Sequence, residues 1–300
     1  MGAKLRVVRR RIRSVQSTMK ITRAMELIAA SRIVKAQQRV IQARPYADLL
    51  SQAMEDVARQ TGSLAHPLLE EREAPQHAGV LVMTSDRGLA GSFNSNLLKL
   101  AEEVLRGVRD RGLEPVLYVT GKKAISYFRF RGVPVEGSWS GFSEVPTYGA
   151  AEELGERMIE GFRSGRIDEL RTVYTDFRSA FTFRATSQRF LPIATEEIVP
   201  GDLGHPHPEY LFEPAPALIL DDLLPQYVVT KIYYAMLESA ASENAARQRA
   251  MAAATDNAEE LIKVLTRQAN RARQDEITTE IMEIVGGAEA LSQASGGSGG

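Results

Sequence analysis

The chain has 300 residues, 44% of them hydrophobic and 25% charged, which fits a folded soluble protein of one or two domains with a sizeable core. It has no cysteine, which excludes a disulfide framework, a thiolate nucleophile and any Cys-containing zinc site. No apolar run approaches the ~18–20 residues that cross a bilayer. The formal net charge is only −1 but unevenly spread: twelve Lys or Arg precede position 45 against Glu26 alone, and the remainder is net acidic. That asymmetry predicts an acidic partner, nucleic acid or an anionic membrane surface for the first segment. The start lacks the apolar stretch of a secretory signal, so the expected compartment is the cytoplasm.

The first element is a long helix. With Leu5 as heptad position a, the a series runs Leu5, Ile12, Met19, Glu26, Ile33, Val40, Ala47, Met54 and the d series Val8, Val15, Thr22, Ala29, Ala36, Ala43, Leu50, Val57. Fourteen of these sixteen positions are apolar and the register never slips, which is the signature of a coiled coil. A transit peptide, which the Arg-rich start also resembles, would not hold register so long. From Ala3 to Val57 the helix would extend roughly 80 Å, with Pro45 as its one breaker.

Between the long terminal segments the hydrophobic period changes. Gly79–Thr84 and Pro115–Thr120 read as buried strands, followed by helices over Asn96–Arg111 and Ala124–Arg131. A further helix is expected over Ala150–Phe162, then two strands, Arg171–Phe177 and Phe181–Ile193, around a turn at Arg178–Ala180. Strand–helix–strand–helix order predicts a parallel α/β layer with a hairpin added. The single Trp139 reads as a loop anchor. Six of the thirteen prolines fall between Ile198 and Pro225, which reads as a return linker. From Asp222 to Val285 runs a helical stripe rich in Ala and small polar residues, with no Pro or Gly after Pro225, Asp221 or Asp222 as N-cap and Gly286–Gly287 as the stop. This helix, about 95 Å long, would pair antiparallel with the first and outreach it. Its free tip carries Ile277, Ile281, Met282, Ile284, Val285, Ala288 and Leu291, apolar on several faces, and so calls for an apolar socket on a partner. Ser295–Gly300 is low in complexity.

Candidate chemistry is sparse. Thr84–Asn94 (TSDRGLAGSFN) is a strand, a Gly-bearing loop and a helix start, where a phosphate could be cradled. It matches neither the dinucleotide fingerprint nor a P-loop, so the sequence favours a tight turn with Gly88 and Gly91 in unusual backbone angles. His205 and His207 alternate with prolines and show no metal-ligand spacing. The basic first helix resembles a zipper-type DNA reader, but its Arg and Lys interleave with the a/d stripe instead of preceding it.

Arg10–Ser31, Ala252–Leu261, Asn270–Gln274 and Ile277–Ala288 resemble the terminal helices of bacterial F-type ATP synthase gamma subunits. Thr84–Leu89 and Phe93–Asn96 are similar to that family's middle domain. The resemblance implies a long antiparallel coiled coil of N- and C-terminal helices plus a Rossmann-like α/β middle domain. The parts would be 1–58 (coiled-coil helix), 78–194 (α/β domain), 195–221 (linker), 222–291 (coiled-coil helix) and 292–300 (flexible tail). It implies a non-catalytic rotor shaft with no catalytic, cofactor or metal site, whose partners are an alpha3beta3 hexamer, the epsilon subunit and a membrane c-ring. Nucleic acid is not among them, and the membrane is met only through the c-ring. Turned by proton flow, its asymmetric surface would favour a different conformation in each catalytic beta subunit. By resemblance Arg273, Gln274 and Thr278 form a catch that grips beta, and Met25 and Arg23 lie near an acidic loop of beta. Ile277, Ile281, Ile284, Val285 and Leu291 form the bearing tip. Ala90 stands where many relatives have Cys, a packing change, and the cysteine pair inserted in chloroplast versions is missing. The expected location is peripheral, on the cytoplasmic face of a bacterial plasma membrane.

Overall fold

The computed structural model describes residues 3–61, 66–179, 182–195 and 216–296. In chain order these form α1 (Ala3–Thr61), β1 (His77–Met83), α2 (Phe93–Asp110), β2 (Glu114–Thr120), α3 (Lys122–Phe130), β3 (Gly137–Trp139), α4 (Tyr148–Arg163), β4 (Glu169–Phe177), β5 (Phe183–Leu191) and α5 (Pro216–Gly296). The chain divides into two compact units, Ile28–Arg249 and Met1–Leu27 with Ala250–Gly300, so each long helix contributes to both.

In the unit built from the chain ends, α1 and α5 pair as an antiparallel coiled coil. Leu5, Thr22, Met251, Thr255, Ala258, Leu265 and Ala269 are buried, and the Thr22 and Thr255 hydroxyls meet at 2.8 Å. Along the whole of α1 every one of the expected a and d positions is buried or half-buried, Glu26 included. Pro45 sits inside the helix on an exposed position, so the stripe continues past it.

The larger unit is organised around a five-stranded sheet of order β3-β2-β1-β4-β5. β1 pairs parallel with both β2 and β4, β2 pairs parallel with β3, and β5 closes the edge antiparallel to β4. The expected parallel layer with an added hairpin is therefore present. Because strand side chains alternate between faces, β1 divides its residues between two cores. Val80 and Val82 pack with Leu97, Ala101 and Leu105 of α2 and with Phe128 of α3. Leu81 and Met83 pack with Leu154, Met158 and Phe162 of α4, Met54 and Val57 of α1, and Leu224, Val228 and Ile232 of α5. The inner half of α5 is thus buried around much of its circumference, which is why a single 3–4 stripe describes it less well than it describes the outer half. At Gly155 a Cβ would lie 2.6 Å from a Val229 methyl, so α4 meets α5 at a glycine.

Four local expectations differ from the structure. Trp139 belongs to a short third strand; its indole donates to Glu153 and its ring packs on Tyr118. α5 starts at Pro216 instead of near Asp222 and continues through Pro225. An internal proline costs about 3 kcal/mol, which the burial of Leu220, Leu224, Val228 and Val229 around it offsets at roughly 1.5–3 kcal/mol each. α5 also runs through Gly286–Gly287 to Gly296, because a helical glycine costs only about 1 kcal/mol. Residues 196–215, most of the expected linker, lie outside the described residues, as do Ala180, Phe181, His205 and His207.

Candidate functional site

The C-terminal edge of the sheet is where open α/β folds place their ligands. Here the edge is tied together by the chain's own side chains. Asp86, the third residue after β1 ends at Met83, accepts from the amide of Lys122 at 3.2 Å through Oδ1, and from Gly141 at 2.8 Å and Ser143 at 3.1 Å through Oδ2. Its own amide donates to Ser143 Oγ at 2.9 Å. One carboxylate therefore joins the loops that follow β1, β2 and β3. Ser85 N–H donates to Asn94 Oδ1 at 3.0 Å, folding the start of α2 back onto the loop. At α3 the first free amides, which could otherwise receive a phosphate, are taken by Asp86 (Lys122) and by Thr84 Oγ1 (Ala124, 2.9 Å). The space between this edge and α5, bordered by Thr84, Phe142, Met236 and Glu243, measures about 20 Å³, room for one water. Thr84–Asn94 is the tight turn the sequence favours, with one exchange of roles. Gly91 takes a positive φ of 54°, but the second strained position is Leu89 at 62°, not Gly88.

Beside this edge lies a cluster of charges. Arg247 of α5 is nearly buried, its side chain 5% exposed, and its guanidinium meets Glu243 Oε1 at 2.6 Å and Glu144 Oε1 at 3.4 Å. Glu144, in the loop between β3 and α4, also pairs through Oε2 with Arg32 of α1, and with Arg87 at 3.8 Å. Arg247 further donates to the Gly88 carbonyl at 3.4 Å. Burial pushes the Glu243 carboxyl above its ordinary pKa, with Arg247 opposing the shift. Sequence reading missed this cluster. Its available signals were an Asp just beyond a strand, and a Glu and Arg four residues apart within a stretch of α5 that is otherwise small and apolar.

The contact residues expected from the sequence all fall in the unit of chain ends. Arg273, Gln274 and Thr278 are exposed, and Thr278 turns its hydroxyl back to the Gln274 carbonyl at 2.9 Å. Arg23 is exposed and held by Glu26 at 3.2 Å; Met25 is half-buried. Ile277, Ile281, Ile284 and Val285 expose between 45% and 71% of their surface. Leu291 lies outside the residues whose side chains are described.

A mixed sheet packed on the stretches of the two terminal helices that fall in the larger unit, together with the coiled coil those helices form in the unit of chain ends, defines an α/β protein with a terminal coiled coil. A family model described as ATP synthase matches residues 4–291. The ATP synthase gamma chain of Parafrankia sp. (strain EAN1pec) is 54% identical over 295 residues, 97% of this chain and 99% of the relative. That of Thermobifida fusca (strain YX) is 51% identical over 306 residues, 99% of this chain and all of the relative. A chain of the Euglena gracilis mitochondrial ATP synthase, from a cryo-EM structure of OSCP, F1 and c-ring, superposes with a TM-score of 0.68, covering 98% of this chain and 97% of its own at 18% identity; that likeness concerns the fold. The chain belongs to the family of ATP synthase gamma chains.

Proposed function

We propose that this chain is the central-stalk rotor shaft of an F-type ATP synthase, coupling rotation of a proton-driven c-ring to successive conformations of the catalytic beta subunits. The observation that carries this reading is the near full-length match to bacterial gamma chains, which includes both terminal helices and the tip of α5. The partners are an alpha3beta3 hexamer around the paired helices, an epsilon subunit, and the c-ring. No helix among the described residues is long and apolar enough to cross a membrane, so on this reading the membrane is met through the c-ring, at the cytoplasmic face of a bacterial plasma membrane. The chain has no catalytic site of its own. Its contribution is differential binding, since each angle of an asymmetric shaft favours one state of each beta subunit. The exposed patch of Arg273, Gln274 and Thr278 serves as the catch, and Ile277, Ile281, Ile284 and Val285 as an apolar bearing with few directional bonds to break on each turn. Arg23 and Met25 face an acidic loop of beta.

Native mass spectrometry of the chain co-expressed with alpha and beta subunits of the same organism tests this. The expected result is one copy per three alpha and three beta subunits, in an ATPase that stops when a cysteine at position 273 is cross-linked to beta. A chain that stays alone, or assembles in several copies, overturns the reading.

A further inference from the structure

We propose that Glu144 is the pin through which torque passes between the sheet and the two terminal helices. The inference rests on the rotor reading and names the place in the chain where rotation is handed over. Packing between apolar surfaces is non-directional. It holds α1 and α5 against the sheet without directional bonds. Charge-assisted hydrogen bonds are directional and roughly twice as strong as neutral ones. In the larger unit one carboxylate meets an arginine from each helix: Glu144 accepts a hydrogen bond from Arg32 of α1 on Oε2 and forms an ion pair with Arg247 of α5 on Oε1 at 3.4 Å. Arg247 is fixed from its other side by Glu243 at 2.6 Å.

The loop that carries Glu144 is in turn anchored to the strand ends. Asp86 holds the amides of Gly141 and Ser143 on one oxygen and that of Lys122 on the other. A continuous run of polar contacts therefore leads from both helices through Glu144 and Asp86 to the ends of β1, β2 and β3. Arg32 and Arg247 stand close in sequence to Ile28 and Arg249, where α1 and α5 enter this unit. A twist carried by the helices reaches these residues among the first of the unit. Stability alone is a poor explanation for the cluster. Buried ion pairs are often replaceable by apolar residues without loss, and here Glu243 and Arg247 are 1% and 5% exposed. What apolar replacements could not supply is a fixed azimuth.

The test is the angular stiffness of the working rotor. The chain has no cysteine, so Ser95→Cys on the exposed face of α2 gives one attachment point for a rotation probe. The complete complex, held on a surface through its stationary subunits, is observed while it waits for ATP. Thermal variance of the probe angle scales inversely with stiffness. Glu144→Gln and Arg32→Gln are expected to widen it by about twofold or more, an order-of-magnitude expectation for mean-square displacement about a loosened support. Arg157→Gln, which breaks an exposed pair within α4, is the control and should leave the width unchanged. Widths equal to wild type in an enzyme that rotates overturn the pin while leaving the rotor reading intact. A wild-type complex in which this chain does not rotate overturns both. If Glu144→Gln fails to assemble, the half-exposed Arg32 decides by itself: a wider distribution for Arg32→Gln supports the pin and an unchanged one removes it.

Discussion

At Gly121 a single missing Cβ lets two strand ends meet. The residue has a φ of 87°, and a Cβ there would lie 2.1 Å from the Thr84 carbonyl oxygen and 2.6 Å from its carbon. Both obstacles are backbone, and Thr84 is held by hydrogen bonds from its amide (2.9 Å) and its hydroxyl (3.0 Å) to the Thr120 carbonyl. Gly121→Ala therefore meets both left-handed strain and a clash that cannot relax, and should cost roughly 2–4 kcal/mol. Urea denaturation of the full chain measures this; a loss below about 0.5 kcal/mol, within the range of ordinary surface substitutions, would show that the loop can open. Glu238 on α5 offers a second residue-level test. Burial, reinforced by Asp176, raises its carboxyl pKa from 4.5 to about 7. A carboxyl that binds its proton more tightly folded than unfolded stabilises the fold at low pH, and that contribution is lost as pH rises from about 4.5 to about 7. Glu238→Gln, always neutral, should match wild type near the lower limit and exceed it by about 1–2 kcal/mol at pH 8, allowing for partial solvent screening. Parallel stability curves for the two proteins across that range would refute the shift.

At the scale of elements, the helix pair in the unit of chain ends contains a polar layer at Thr22 and Thr255. The two hydroxyls meet at 2.8 Å, and each also reaches a carbonyl of its own helix, Met19 at 3.0 Å and Met251 at 2.9 Å. Removing one hydroxyl leaves the other with only its own-helix carbonyl and an unused acceptor oxygen in a buried site, whereas removing both leaves an apolar layer. Thr255→Val alone should cost about 1 kcal/mol, and Thr22→Val in addition should restore most of it, a coupling of about 0.5–1 kcal/mol in a double-mutant cycle. Strictly additive losses would mean that the two side chains do not interact. The heptads that place Thr22 at a d position were legible because a coiled coil repeats one local rule many times. The sheet strands were legible for a related reason, since β1 and β2 carry short apolar runs bounded by turns, and Arg171–Phe177 and Phe181–Ile193 read as alternating strands around a turn. What the sequence concealed depends on contacts distant along the chain. Pro216 and Pro225 suggested a linker because the core that stabilises the start of α5 is assembled from Met54, Leu68, Leu154 and Phe190, far away in sequence. β3 was hidden because three residues, Gly137–Trp139, have no periodicity to read. Glu144 was invisible as a meeting point because its arginines lie about a hundred residues away on either side. Leu89 took the strained backbone position expected of Gly88, a choice the tertiary contacts of the loop make.

For the whole molecule, the uneven charge and the apolar tip imply two contacts of different physical character. α1 exposes Lys4, Arg6, Arg10, Arg11, Arg13 and Lys20 in the unit of chain ends, and α5 exposes Ile277, Ile281, Ile284 and Val285 in the same unit. If the basic face meets acidic loops of the surrounding subunits, it attracts them over distances comparable with the Debye length, about 8 Å at 0.15 M salt. Its effect then falls mainly on the rate of association. The apolar tip acts only on contact, through desolvation, and its effect falls mainly on the rate of release. Arg10→Glu combined with Arg13→Glu should slow association with separately prepared alpha and beta subunits by about tenfold or more at low salt, and this deficit should shrink as salt is raised. Ile281→Asn combined with Ile284→Asn should leave association nearly unchanged and speed dissociation by about tenfold or more, at low and high salt alike, because burying two unpartnered amides costs about 1–3 kcal/mol each. Surface-immobilised hexamer and flowing gamma chain, followed at several salt concentrations, separate the two rates. A charge variant whose deficit ignores salt would remove the acidic-loop assignment of the basic face, and an asparagine variant that dissociates like wild type would remove the bearing assignment of the tip. Because the two arms read different rates on different helices, either assignment can fail without the other.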